Sequence, residues 1–534
     1  MKRSNLNLLS AMSTFIYTSS SACAATYYVS PSGNDTATGA SITSPWKTLQ
    51  KAANSMIAGD SCLIRGGVYR ETVTPVNSGT ASAPIAYMPY NNESVTVNGA
   101  DTLSGTWAKH LSSGYIYKLN TNFNITTGKI FHQIFVDGKM NLKARWPNNQ
   151  NLDVFNPSFF ASSTSGTSTS FSISNLPKID LIGAKIWSLP GEQWTSKVTR
   201  IISRNNDTVS FNKVSDNLYE TPKMGNPLYI YGKLNLLDSP GEWYLKSDGT
   251  FYLQTTTSDN PANHTVEVKS REFGFNLDNK SYISIIGINY FACGFSMKGS
   301  NFCSIDNGQM SYPDWYQEPG WNDDPTMELD FYRTSQAANF VSGVGNVIKN
   351  MNMQFSVGSM IIIGSTLSID SNTPPPQGEY NTIDNNTIHD LGFSRSDGGA
   401  ILFLRTGAGN IIKNNTIFNC SIPGIRGKQT KDLSIRYNEI YKTCLNRTDY
   451  GAIYIDNNGA QGGVPSEIAY NSVHDNNTGS GIYFDAWSGA GGQGYVIHHN
   501  TIYNIKPWAA MHVNGGPASI GSRDLKFFSN YSGL

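Results

Sequence analysis

At 534 residues the chain is long enough to bury a large core, and its 39 Lys and Arg balance its 39 Asp and Glu. That balance excludes a global field drawing it to nucleic acid or an anionic membrane. Its 50 glycines, 12% aromatic content and many Asn, Ser and Thr exclude a mainly helical protein and suit a β-rich one with many turns.

The first predicted element is a signal peptide over residues 1–24. Lys2 and Arg3 precede a modest apolar stretch, and Ala22-Cys23-Ala24 has the small-x-small form of a cleavage site. The stretch is too short and too polar to span a bilayer. Cleavage near Ala24 and a secreted or periplasmic location are therefore expected. Five of the six cysteines then remain, so not all can pair within the chain. Export permits disulfides, but these cysteines read as small buried residues. No CxxC pair or His/Cys spacing suggests zinc.

Residues 25–104 read as an N-terminal cap with the first coils of a solenoid. In "SPWKTLQKAANSM", Trp46, Leu49, Ala53 and Met56 share one helical face. A short helix there is expected to cover an open first coil, and "GDSCLIRGGVYRETV" supplies that coil. Residues 105–265 break the period. "FVDGKMNLKARWPNN", "KIWSLPGEQW" and "LLDSPGEWYLKSDGTFYL" alternate strand patterns with Pro-Gly turns, which predicts a β-rich inserted subdomain.

Residues 266–534 carry the main repeat. From about residue 345 a phrase recurs as "NTIDNNTIHD", "NIIKNNTIFN", "LSIRYNEIYK", "SEIAYNSVHD" and "YVIHHNTIYN", its later copies 23 to 33 residues apart. Short β-branched strands bounded by Asn and Gly at that period predict an all-β, right-handed parallel β-helix, with the recurring Asn forming an amide ladder at one corner. Separate β-sandwiches would leave the fixed phrase unexplained. Before these coils, "YPDWYQEPGWNDDPTMELDFY" either walls a cleft or binds a cation through Asp323 and Asp324. The last phrase, "LKFFSNYSGL", reads as a fresh strand without a cap, so a further portion or another subunit is expected to cover it.

Five strands align by hand, starting at Ala400, Gly424, Ala452, Gly481 and Ala510. Ile401, Ile425, Ile453, Ile482 and Met511 then point inward, as do the residues two further on. Leu402, Arg426, Tyr454, Tyr483 and His512 point outward, with Leu404, Lys428, Asp456, Asp485 and Asn514 beside them. Tyrosines, a histidine, two bases and two acids in one contiguous patch suggest a site. Neighbouring coils lie ~4.8 Å apart, so Asp456 and Asp485 should hold their carboxylates roughly 5 Å apart, near the spacing of retaining glycosidases. Repulsion between them would raise one pKa and divide acid from nucleophile or base. Asp449 and Asp397, each three residues before its aligned strand, can supply the acid instead. A structural role stands beside each reading: Asp456 opens the turn-like "DNNG" and Asp485 precedes "SGAGG". Adjacent acids also suit calcium. Trp487 and Trp508 flank the patch and can stack on sugar rings. His389, His474 and His498 are assigned to packing.

The opening phrases resemble those of secreted β-helix carbohydrate enzymes of the pectate-lyase-like superfamily. "LLDSPGEWYLKSDGTFYL" resembles segments of β-helical glycoside hydrolases of the β-xylosidase and xylanase/fucosidase groups, and "DYGAIY" and "GIYFDAW" are similar to patterns there. That resemblance implies aspartate acid/base chemistry. "GKQTKDLSIRYNEI" around Lys428 resembles the lysine coil of β-helical alginate and chondroitin lyases, but "YIDNN" stands where their arginine-histidine-glycine motif belongs.

The expected function is therefore cleavage of glycosidic bonds in a polysaccharide by a monomeric hydrolase needing no cofactor. Asp456 and Asp485 are the expected catalytic pair, with Asp449 in reserve. Tyr454, Tyr483, His512, Arg405, Arg426, Lys428, Trp487 and Asp397 are expected to bind sugar, the cations implying an acidic or substituted one. The alternative is a polysaccharide lyase with Lys428 or Arg426 as base, a tyrosine as acid and calcium on Asp456 and Asp485. A third is a non-catalytic, tailspike-like glycan-binding solenoid.

Overall fold

The computed structural model describes residues 24–112, 114–121, 133–149, 160–194, 196–213, 215–314, 338–364, 378–392, 398–445, 449–456, 465–485, 494–506, 508–514, 526–528 and 530–533. Nearly all of the expected signal peptide, together with Asp323 and Asp324, lies outside them.

Successive strands of the repeat pair in parallel with the strand one coil away, and three stacks result. Two are joined into a 21-stranded sheet by long strands such as Val347–Ser356, and the third is a separate nine-stranded sheet. Each stack contributes one inward row. Ile348, Ile383, Ile412, Ile435, Ile468 and Ile497 pair in sequence on the first. Met353, Ile388, Ile417, Ile440, Val473 and Ile502 do so on the second. Ile361, Ile401, Ile425, Ile453, Ile482 and Met511 do so on the third. These rows belong to, or pack against, one continuous core, where each buried aliphatic side chain contributes about 1.5–3 kcal/mol. The β-branched side chains suit both the strand and the stacking.

Asparagine forms two ladders where one was expected. Asn346, Asn381 and Asn410 make the shorter one. Asn386, Asn415, Asn438, Asn471, Asn500 and Asn530 make the longer, each Oδ1 after the first accepting from the main-chain N–H and Nδ2 of the Asn before it at 2.9–3.1 Å. The residues preceding this ladder, Asn385, Asn414, Tyr437, Tyr470 and His499, have φ of 53–58°. The chain bends there, so strand pairing is interrupted and the side-chain amide satisfies the orphaned backbone groups.

The strand Thr26–Val29 pairs with Ser61–Ile64, so a parallel coil strand precedes the segment read as the first coil. The helix spans Leu49–Ser55 and buries Leu49, Ala52 and Ala53; Trp46 and Met56 lie just outside it in the same core. Ile85 pairs with Ile283 and Val95 with Ile288, so the solenoid resumes in register across the long intervening segment. That segment forms eight- and seven-stranded, mainly antiparallel sheets with their own buried clusters. The five described cysteines, Cys62, Cys293, Cys303, Cys420 and Cys444, are all buried. Among the described residues no helix is long and apolar enough to cross a membrane.

Candidate functional site

The nine-stranded sheet carries the aligned strands. Its members are β1 (Phe273–Asn276), β2 (Gly294–Met297), β3 (Asn339–Val341), β4 (Ile361–Gly364), β5 (Ile401–Leu404), β6 (Ile425–Lys428), β7 (Gly451–Asp456), β8 (Ser480–Asp485) and β9 (Met511–Asn514). Leu402, Arg426, Tyr454, Tyr483 and His512 pair in one row, and Leu404, Lys428, Asp456, Asp485 and Asn514 in another. The register read from the sequence is the register of the sheet.

The outer row changes character along the solenoid axis. Phe340, Ile362 and Leu402 form an apolar cluster with Phe273. Arg426 follows, then the tyrosines, then His512. Although these side chains point away from the core, they are largely covered: Arg426 is 6% exposed, Lys428 8% and Tyr483 2%. Much of the cover is made by the row itself. Tyr450, Cys444, Tyr454 and Tyr483 cluster together. Tyr454 meets Tyr450 and Tyr483 edge-on at 4.9 and 5.1 Å, and the Arg426 guanidinium lies 5.6 and 5.2 Å from the Tyr450 and Tyr454 rings. Such contacts favour a cation over an aromatic face.

Two acids are held here by a crossed exchange between coils. Tyr454 on β7 donates its hydroxyl to Asp485 Oδ2 at the end of β8, 2.7 Å away. Tyr483 on β8 donates its hydroxyl to Asp449 Oδ1, just before β7, at 3.2 Å. Asn514 Nδ2 donates to the other Asp485 oxygen at 3.2 Å. Burial, then the charge of Asp485, push the Asp449 carboxyl above its ordinary range; the Tyr483 hydroxyl and His512 pull it back. Burial and the two acids push the Tyr483 phenol up, so it stays a neutral donor.

The reserve acid, Asp449, is thus held by Tyr483, which pairs in register with Tyr454, the donor to Asp485. Asp456 stands beside Asp485 in the β7–β8 register. Arg405 follows β5 at a bend with φ 49° and donates its main-chain N–H to Lys428 O. His512 stacks on Tyr483 at 4.2 Å, and Trp508 stacks on His512 at 5.5 Å. Trp487 and Asp397 lie outside the described residues. Tyr450 and Ser480 were not singled out from the sequence, and Cys444 was read only as a small buried residue. Tyr450 carries one legible signal, its place between Asp449 and Gly451; Ser480 faces His512 Nδ1 at 3.5 Å only through folding.

A calcium ion at Asp485 would have to compete with the hydrogen bonds its oxygens already accept. Each carboxylate oxygen already accepts a proton donor, and Arg426 and Lys428 stand on the strand before β7. Among the described residues no three His, Cys, Asp or Glu side chains are grouped to hold a metal. His389 and His474 pack as expected: His389 stacks on Phe418 at 4.8 Å, and His474 stacks between Tyr441 and Tyr503. His498 meets Tyr470 edge-on and bonds Glu467.

Comparison with known proteins agrees with this fold. Residues 328–531 match a family model described as the right-handed beta helix region. A solved structure named Glycoside hydrolase aligns at a TM-score of 0.69 and 16% identity, covering 93% of this chain and 98% of the other. A complex of XylC with xylose aligns at 0.54 and 14% identity, covering 92% and 70%. Pectate lyase PEL9 of Emericella nidulans is 42% identical over 85 residues, which are 16% of this chain and 20% of the relative's length. The chain has the right-handed parallel β-helix fold.

Proposed function

We propose that this right-handed parallel β-helix is a secreted carbohydrate-active enzyme that hydrolyses glycosidic bonds of a polysaccharide at β7 and β8. The observation that carries the reading is the crossed exchange, Tyr454 to Asp485 and Tyr483 to Asp449. It presents two carboxyl groups on adjacent coils with unlike environments, as glycosidic cleavage requires. Asp449, its pKa raised by burial, is the proton donor: its proton passes to the bridging oxygen as the bond from that oxygen to the anomeric carbon breaks. Asp485, oriented by Tyr454 and Asn514, either attacks that carbon or takes the proton of the attacking water. Asp456 stands beside Asp485 and Lys428 in register. Arg426 and Lys428 favour an anionic or substituted sugar. The fold likeness to structures named for glycoside hydrolysis and for xylose binding supports a carbohydrate substrate.

A second reading is elimination from a uronate-containing polysaccharide, with Lys428 or Arg426 as base and a tyrosine as acid. The stretch shared with a pectate lyase favours it. A calcium requirement belongs to this reading. The test is a product assay on plant, algal and bacterial polysaccharides, reading reducing ends and ultraviolet absorbance from the same tube. Reducing ends without absorbance support hydrolysis. Absorbance from an unsaturated uronate moves the chemistry to Lys428 and Arg426. Glycan binding without product would sink both in favour of a binding solenoid.

A further inference from the structure

Beside the crossed pair, a glycine stands in line with two aromatic residues. Pairing of Gly451 with Ser480 puts Tyr450 next to Gly479, and pairing of Ile482 with Met511 puts Gly479 next to Trp508. The main chain agrees, since Ser480 N–H donates to Tyr450 O and Gly481 N–H donates to Ala509 O. Three coils in succession therefore carry Tyr450, Gly479 and Trp508 at one position. With coils ~4.8 Å apart, the two aromatic residues stand two coils apart, and the residue between them in register is the buried Gly479. A β-carbon on Gly479 would meet Tyr450 O at 2.6 Å and Cys444 Cβ at 3.2 Å, so the position is closed to larger residues.

Trp508 differs from the other rings here. Tyr450, Tyr454 and Tyr483 are buried, whereas Trp508 is 45% exposed. It is held nonetheless, by a near-parallel stack on His512 that continues to Tyr483, the residue that donates to Asp449. An exposed indole held at fixed tilt on the ring stack that ends at Tyr483 offers a flat apolar face at little ordering cost. The C–H face of a pyranose is the complementary surface, and no charge on the sugar is needed there.

We infer that Trp508 forms a sugar-stacking subsite on the β9 side of Asp485, binding a pyranose ring one unit from the bond to be cleaved. The inference rests on the proposed site and adds a direction. The glycan lies along the solenoid axis, with its anionic or substituted unit toward β6 and an apolar ring face toward Trp508.

The test is binding, so that it reads separately from turnover. Full-length Asp485→Asn protein is titrated with graded xylo- and galacturono-oligosaccharides while indole fluorescence is followed. Adding Trp508→Ala is expected to abolish the quench and weaken binding of the longer oligosaccharides about tenfold, equivalent to about 1.4 kcal/mol. Adding Trp508→Phe instead should retain most of the affinity. In the otherwise native protein Trp508→Ala should raise KM more than it lowers kcat. Equal affinity in all variants, weakening independent of oligosaccharide length, or a lowered Tm without loss of affinity would each overturn the subsite. A native protein that binds these glycans but forms no product would sink the hydrolase reading alone.

Discussion

Tyr483 and Asp449 belong to different coils, 34 residues apart in sequence, yet the tyrosine hydroxyl donates to the carboxylate at 3.2 Å. The same two coils exchange a bond in the opposite sense from Tyr454 to Asp485. Each acid is therefore positioned by a side chain that only its neighbour can supply.

The acids should be separable from the fold. Asp485→Asn and Asp449→Asn are each expected to lower kcat at least about a hundredfold while leaving the circular dichroism spectrum unchanged. Retention of native kcat by either variant would remove that acid from the mechanism.

The pH profile should report Asp449. A proton donor works below its pKa, so activity falls as pH rises through the elevated Asp449 value. Tyr483→Phe removes the hydrogen bond that lowers this pKa, so the alkaline limb should move to higher pH. The stability sign is consistent. With its folded pKa above the unfolded one, Asp449 contributes fully below the unfolded value, and that contribution is lost as pH rises through the folded value. An unmoved alkaline limb in kcat/KM would refute the assignment of Asp449.

Gly451→Ala should disturb the site through contact alone. A β-carbon there would lie 2.7 Å from Tyr483 Cβ and 3.0 Å from its main-chain nitrogen. Displacing Tyr483 loosens its hold on Asp449, and overpacking costs about 1–3 kcal/mol. A fall in kcat with the same direction of pH shift as Tyr483→Phe is expected, read from pH–rate profiles of both variants.

The long asparagine ladder should carry stability without touching chemistry. Asn438 accepts from Asn415 and donates to Asn471, all three buried. Asn438→Ala orphans the Asn415 main-chain N–H and should cost about 1–3 kcal/mol, the cost of leaving one buried group unsatisfied. Denaturant unfolding would measure it, with KM unchanged.

Chelation should leave turnover unaffected, because Asp485 already accepts Tyr454 and Asn514. Loss of activity with chelator and its return with calcium would favour the elimination reading.

The repeat made the parallel solenoid and the register of its nine-stranded sheet legible. A period of two within strands and a fixed phrase between them left one way to bury Ile401, Ile425, Ile453 and Ile482 together. Hence the rows Arg426–Tyr454–Tyr483–His512 and Lys428–Asp456–Asp485–Asn514 were readable before any coordinate. The second asparagine ladder, the strand at Thr26–Val29 and the cover over Arg426 and Lys428 were not. They depend on where the chain bends and on which side chains lean across a coil. The bond from Tyr483 to Asp449 likewise came from folding. Sequence periodicity determines which backbone positions stand side by side, because hydrophobic burial enforces it. Which side chains then bond is decided by directed contacts only a few ångströms long, and for Asp449 and Tyr483 those contacts cross from one coil to the next.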